Sequence, residues 1–491
     1  MRSIPSVRYV LRVTRWIATV VGVLLLTIYF GWAFDSRDML QPGPEHRIRF
    51  EHEFHAALEE ATDWAGYLDI EERLAAETAA KLVDRDRPDS LVDRYSSGSL
   101  SSPQRFPANW NRSYQVTVPA ARGVAVLLHG LSDSPYSMLA TAQTLAGAGD
   151  NVVVPRMPGH GFAVGGLLQA RWEDWTAVVR IAMRHAAGLP GADQSLLMAG
   201  YSNGGLLAID YALACDAAGN APCPDGIVLM SPAIAVSGAA IVTNLHPAIS
   251  WLPYFEQFKW LSILPEIDPF KFTSFPKRAA WEIYRVSRRT HKQLADPEEA
   301  SKLPPMLTFQ SAVDNTVTAR AIVTLLYDRL PANGSKLVVY DINRNSTALH
   351  LMKTRPREVM EYFESTAPHD FSVTVLQNRD RSTSELEARS LTTGATSARA
   401  ESTSLAWPTG VYSLSHIAIP FRPDDIVYGD GSDNAGNDAA LRLGALAPRG
   451  EAGVLMLTSD YFLRTRHNPF YSYQARVLSD WVRALQKPGS R

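Results

Sequence analysis

Cysteine is nearly absent: the 491 residues contain two, Cys215 and Cys223. A multi-disulfide scaffold is therefore excluded, and one Cys-x7-Cys pair lacks the further Cys or His ligands of a zinc site. Gly219, Asn220 and Pro222 lie between the two and let the chain turn back on itself. A single bridge stapling this loop is expected in an oxidising compartment, with two free thiols as the alternative. The net charge is only −2, and no long basic stripe follows the first residues. This excludes nucleic acid as a partner and gives no means of steering an acidic substrate. Neither H-E-x-x-H nor a Walker motif occurs, so no metal or organic cofactor is implied. No internal repeat is present, which excludes a solenoid or propeller.

The composition that remains, 46% apolar and 20% charged, is that of a globular protein with a sizeable core. The length fits one large domain with insertions or two to three average ones. Trp16 to Phe34 is a run without a charged residue. As a helix rising ~1.5 Å per residue it would span about 28 Å, close to a bilayer core of ~30 Å. Arg2, Arg8, Arg12 and Arg15 precede it, and Asp35, Arg37 and Asp38 follow. The asymmetry places the short N-terminus in the cytoplasm and the body outside, anchored by a single pass. A cleaved signal peptide is the rival, but the bulky Phe30, Trp32 and Phe34 make a poor cleavage site.

Gln41-Pro42-Gly43-Pro44 reads as a linker, residues 50–84 as helical, and Asp86 to Pro107 as loop. Arg112 to Val118 alternates as a strand. Short apolar runs, the mark of strands buried on both faces, then recur at Val124–Leu128, Asn151–Pro155, Ser195–Ala199, Gly226–Met230, Met306–Gln310 and Lys336–Tyr340. Helical segments alternate with them near 138–148, 172–187, 204–214 and 318–330. This predicts an α/β fold, a mostly parallel central sheet with helices on both faces. Pro232 to Pro304 breaks the rhythm and is rich in aromatics, among them Trp251, Tyr254, Phe258, Trp260, Phe270 and Phe272. It is too long for a bare loop and reads as a helical cap insertion, its aromatics either lining an acyl cleft or packing the cap onto the core. Asn378 to Ser404 reads as an exposed loop or weak hairpin, and Tyr471 to Gln486 as a closing helix. The division that follows is 1–45 for cytoplasmic stub, anchor (16–34) and linker, 46–107 for a helical extension, 108–231 with 305–491 for the core, and 232–304 for the cap.

The strongest chemical signal is Gly200-Tyr201-Ser202-Asn203-Gly204, a G-x-S-x-G set directly between a strand and a helix. Such a turn forces the serine into a strained backbone, lifts its hydroxyl above the sheet edge, and aims free helix N–H groups at developing negative charge. Ser202 is the candidate nucleophile. Val124–Leu128 runs into His129-Gly130-Leu131, and the backbone N–H groups of Leu131 and Asn203 are the candidate oxyanion donors. His129 is read as shaping that loop. Serine needs a base, and the base an orienting carboxylate. Asp314, in the loop after the strand at 306–310, is the candidate, with Asp341 its rival. For the base, His350 has the more usual separation but sits among Leu349, Leu351 and Met352, whereas His416 ends the extended stretch Val411–Ser415. Spacing alone leaves the two open.

Five segments, HGLSDSPYS, PRMPGHG, RWEDW, GYSNGG and SAVDNTV, together resemble the carboxylesterase and monoacylglycerol-lipase-like, serine-aminopeptidase-type branch of the α/β-hydrolases. The resemblance covers about residues 108–330. WLSILPEIDPFKFTSFP and WPTGVYSLSHIAIPFRPDDIVYG are similar to segments of a bacterial membrane-anchored group of unassigned substrate. The resemblance implies the α/β-hydrolase fold, a location in the inner membrane with the body periplasmic, and His416 as the base. Pro158-Gly159-His160-Gly161 is read as a turn shaping the rim, and Trp172 and Trp175 as core packing. The long insert between Asp314 and His416 departs from simple esterases. The expected activity is a serine hydrolase cleaving a carboxylic ester, a lipid or acylglycerol met at the membrane. The alternatives are an aminopeptidase or acyltransferase on the same fold, or an inactive anchored binding protein.

Overall fold

In the computed structural model the strand Gly123–Leu128 is buried along its whole length. Its side chains alternate between two separate cores: Val124, Val126 and Leu128 join one cluster, and Ala125 and Leu127 join the other. Period-two alternation carries both sets to opposite faces of a sheet, so a run apolar at every position needs cover on both sides. The structure describes residues 7–84, 90–215, 221–235, 247, 249–314, 319–353, 369–432, 441–451 and 454–486.

In chain order the strands are β1 Tyr114–Val116, β2 Gly123–Leu128, β3 Asp150–Val154, β4 Leu196–Tyr201, β5 Gly226–Met230, β6 Trp260–Ser262, β7 Phe275–Pro276, β8 Met306–Ser311, β9 Lys336–Tyr340, β10 Ser372–Asn378, β11 Glu385–Leu391 and β12 Arg399–Ala406. Ten of them form one sheet in the order β1-β3-β2-β4-β5-β8-β9-β10-β11-β12, with β6 and β7 a separate hairpin. The pairs from β3 through β10 are parallel. β1 joins antiparallel at one edge, and β11 and β12 at the other. Helices Trp172–Ala187 and Asn203–Ala214 cover one face. Tyr471–Leu485 and Leu139–Ala148 cover the other. This is the α/β arrangement predicted from the alternating runs.

Three expectations need correction. The segment 378–404 holds β11 and the start of β12 and continues the central sheet. Only Leu386, Ala388 and Leu391 of β11 point to a core, so the Ser, Thr, Arg and Glu of the open face mask the strand pattern in the sequence. Residues 50–84 are helical only in the turn Ala56–Ala61 and the helix Trp64–Lys81. Tertiary contacts override helix propensity before them, because Glu53 is drawn to Arg156, with Oε1 2.8 Å from Nη2. The insert 232–304 is mixed: a 3-10 segment Pro253–Lys259, the β6–β7 hairpin, and helices Lys277–Leu294 and Pro297–Ser301. Its Phe258, Trp260, Phe270 and Phe272 are buried in packing clusters, whereas Trp251 and Tyr254 are exposed.

The helix Val7–Asp35 stands largely exposed. Leu11–Asp38 is long and apolar enough to cross a membrane, with a mean hydropathy of 2.1. Its C-terminal end lies against the insert, where Trp32 and Tyr29 meet the Phe258 ring edge-on and Phe34 meets Phe255. Cys215 and Cys223 form a disulfide with an S–S distance of 2.05 Å.

Candidate active site

Parallel strands end on one side of the sheet, and three serines beside those ends depart from ordinary backbone geometry. Ser132 after β2, Ser202 after β4 and Ser231 after β5 have φ of 65°, 52° and 42°, in the left-handed region that side chains with a Cβ avoid. Strain of this kind persists only where the surroundings enforce it. At Ser202 (φ 52°, ψ −113°) the enforcement is visible: its N–H donates to Met230 O at 2.9 Å, and its carbonyl accepts from Ala233 and Leu206. The flanking glycines have no room for a side chain. A Cβ on Gly204 would lie 2.0 Å from Leu128 O, and one on Gly200 2.4 Å from the Gly204 carbonyl carbon. Ser202 itself is half-buried at the start of the helix Asn203–Ala214.

The loop after β2 lies beside this turn. His129 is buried, its Nδ1 2.9 Å from Gly130 O and its Nε2 accepting the Met157 N–H at 2.9 Å. Both nitrogens are thus used in holding the loop, and burial pushes the imidazole down to about 3, so it stays neutral. His160 packs edge-on against it, with Nδ1 on Pro158 O and a protonation point likewise pushed down by burial. Among the described residues neither the Leu131 nor the Asn203 backbone N–H has a hydrogen-bond acceptor. The fully buried Asn203 side-chain amide also has none. The loop is stitched to the insert: Phe272 N–H donates to Ser132 O at 2.8 Å, and Lys271 Nζ lies 2.8 Å from Asp133 Oδ1.

Asp314 and His416 meet although the sequence separates them widely. Asp314 is buried in the turn after β8, where Gln310 Nε2 donates to its Oδ2 at 3.2 Å. His416 opens a short 3-10 turn, His416–Ala418, and is 8% exposed. Two anchors bring that turn to the sheet edge: Ser311 Oγ donates to Leu414 O at 2.8 Å, and Ser415 N–H donates to Thr465 Oγ1 at 2.9 Å. Asp314 Oδ1 is 3.7 Å from His416 Nδ1, and the imidazole stacks on Tyr201, the residue before Ser202. Arg464 Nη2 is closer to the same nitrogen, at 2.9 Å. Burial, and then the charges of Arg464 and Lys271, push His416 well below its ordinary value.

The rivals lie elsewhere. His350 is exposed in the turn Thr347–Leu351, and Asp341 is engaged by Arg344. Sequence reasoning missed Arg464, Lys271 and Ser231. The first two carry no local pattern that marks them, and Ser231 follows an apolar strand as any turn residue would.

Among curated proteins none matches the chain. Residues 119–344 match the serine aminopeptidase S33 family. Solved structures similar to the chain include one described as LipS and LipT, metagenome-derived lipolytic enzymes, at 19% identity and TM-score 0.39, covering 52% of this chain and 98% of that one. The monoacylglycerol lipase of Paleococcus ferrophilus is 19% identical with TM-score 0.36, covering 47% and 88%. Est1E of Butyrivibrio proteoclasticus, bound to ferulic acid, is 18% identical with TM-score 0.32, covering 52% and 94%. The matched segment runs from just before β2 to just past β9 and contains the Ser202 turn, and over it the chain is similar to the serine aminopeptidase S33 family, on an α/β-hydrolase fold.

Proposed function

We propose that the protein is a serine hydrolase cleaving carboxylic esters through Ser202, His416 and Asp314. His416 Nε2 takes the Ser202 hydroxyl proton as Oγ attacks the carbonyl carbon. The carbonyl oxygen becomes an oxyanion held by the Leu131 and Asn203 N–H groups. Collapse expels the alcohol, which takes the proton from Nε2. Water then repeats the sequence on the acyl-enzyme and releases the carboxylic acid. In the reacting form Asp314 holds the ring with its proton on Nδ1 and supports the imidazolium. The 3.7 Å separation of Asp314 and His416 is longer than a hydrogen bond, a looseness common before substrate closes a site. The observation that carries the reading is the enforced positive φ of Ser202 between β4 and a helix.

The substrate class we propose is a lipid or acylglycerol ester. Its support is the apolar N-terminal helix, whose end packs on the insert bearing exposed Trp251 and Tyr254. The Cys215–Cys223 disulfide and the arginines before the helix support an anchored protein with its body on the extracytoplasmic side. The family's name favours a second reading, amide cleavage at a peptide N-terminus.

A fluorophosphonate probe should label the wild type and not Ser202→Ala. Ester turnover should fall at least about a thousandfold in Ser202→Ala and His416→Ala and hold in His350→Ala. Faster release from amino-acid anilides than from p-nitrophenyl esters would replace the ester reading with the aminopeptidase one. Turnover confined to soluble short-chain esters would remove the lipid. An unlabelled wild type would leave an inactive binding protein.

A further inference from the structure

A guanidinium carries donors only. Arg464 Nη2 lies 2.9 Å from His416 Nδ1, so Nδ1 is the acceptor and the neutral ring carries its proton on Nε2. Abstraction of a proton by Nε2 needs the opposite tautomer, with Nδ1–H facing a carboxylate. Asp314 Oδ1 stands 3.7 Å from that nitrogen, so an arginine and an aspartate compete for one atom and the arginine holds it.

The two competitors differ in freedom. Asp314 is buried and its Oδ2 is held by Gln310. Arg464 is exposed, and among the described residues no carboxylate lies within ion-pairing distance of it. Its backbone is fixed next to the histidine, because Thr465 bonds to Ser415, so the side chain alone can swing. The other cation nearby, Lys271, is already matched by Asp133 at 2.8 Å. Arg464 is thus a charge at the mouth of the site with a neutral imidazole as its partner, and an anion would be a better one.

Resting on the Ser202–His416–Asp314 reading, we propose that Arg464 is a positioning residue that gates the base and selects esters carrying an anionic group, a carboxylate or a phosphate. Without such a group the guanidinium occupies Nδ1. When the anion binds it, Arg464 leaves, the ring releases its Nε2 proton to water and takes one up at Nδ1, and Nδ1–H turns to Asp314. The proton count on the ring does not change.

The test uses the full chain in detergent and matched substrates: p-nitrophenyl butyrate, the p-nitrophenyl hemiester of glutaric acid, and an acylglycerol with and without a phosphate monoester. The wild type should favour the anionic member of one pair by about tenfold in kcat/KM, the change one charge-assisted hydrogen bond makes. The pair that shows it separates carboxylate from phosphate. Arg464→Ala should abolish the preference and raise kcat on the neutral ester. Arg464→Lys should restore part of the preference through KM. The groups facing His416 are Asp314, Arg464, Lys271 with its partner Asp133, and the Tyr201 ring. Removing the Arg464 charge stabilises the imidazolium, so the acid limb of the pH profile should move to higher pH in Arg464→Ala. An unchanged ratio, kcat and profile in that variant, or an equal loss on every ester, overturns the gate. If His416→Ala keeps full activity the triad reading falls, and the gate with it. If His416→Ala is inactive while Arg464→Ala behaves as wild type, the gate alone falls.

Discussion

Among the described residues two cations are fully buried, at two different seams, and they are handled in opposite ways. Arg156, just after β3, receives the N-terminal extension. Glu53 grips its guanidinium with both oxygens, at 2.8 and 3.1 Å, and Glu71 takes Nε at 3.2 Å. The carbonyls of Met157 and His160 accept what remains. Lys277 opens the helix that follows the β6–β7 hairpin and meets the end of the apolar N-terminal helix. Among the described residues no hydrogen-bond partner reaches its Nζ, which lies 3.5 Å from the ring centre of Phe258 and 3.8 Å from that of Trp32. Ring faces attract the ammonium, burial opposes it, and burial lowers Lys277 to about 7. A paired charge fixes one geometry, because each donor of the fork has one acceptor. An ammonium between rings has no such directionality. The extension is therefore keyed to the core, while beside Lys277 the apolar helix meets the insert through ring contacts.

The largest effect should come from Arg156→Met. It strands two buried carboxylates and should lower stability by about 3–5 kcal/mol in urea unfolding. A loss near zero would mean that the key is dispensable and the two seams are alike.

Lys277→Met should raise stability at neutral pH by removing a buried charge, and its signature is the pH dependence it removes. Below about 7 folded and unfolded chains both carry the proton, and burial of the charge weighs fully against the fold. Between there and the unfolded value of ~10.4, the unfolded chain binds more protons, so stability rises with pH. Melting of the wild type in detergent should show this rise, and the methionine variant should lack it. A wild type flat across that window would show the ammonium to be solvated. Arg37→Ala should give the smallest change. Arg37 donates to the Tyr254 hydroxyl at 2.6 Å and covers its ring at 3.9 Å, and an exposed contact of this kind is worth about 0.5–1 kcal/mol. A larger loss, measured in the same melts, would mean that directional contacts also fasten the apolar helix.

Neither seam was legible in the sequence. Arg156 stands out in the sequence only within the segment PRMPGHG, ahead of the turn at 158–161, and its partners come from a segment that reads as helix. Lys277 stands at the end of an aromatic run with nothing to mark it as buried. The sheet centre was legible because β2, β4, β5, β8 and β9 are apolar at nearly every position, a pattern that only strands covered on both faces need. β11 and β12 were not, because one open face filled with polar residues erases the run.

The turn at Ser202 was determined by the sequence itself. Two glycines and a serine between a strand and a helix dictate a local backbone, and local sterics act without the rest of the chain. The placement of His416 beside Asp314, the exposure of His350, and the arrival of Arg464 at the same nitrogen were decided by tertiary structure alone. Contacts between residues so far apart depend on how the intervening strands β9 to β12 and their loops pack, and no spacing or periodicity encodes that path.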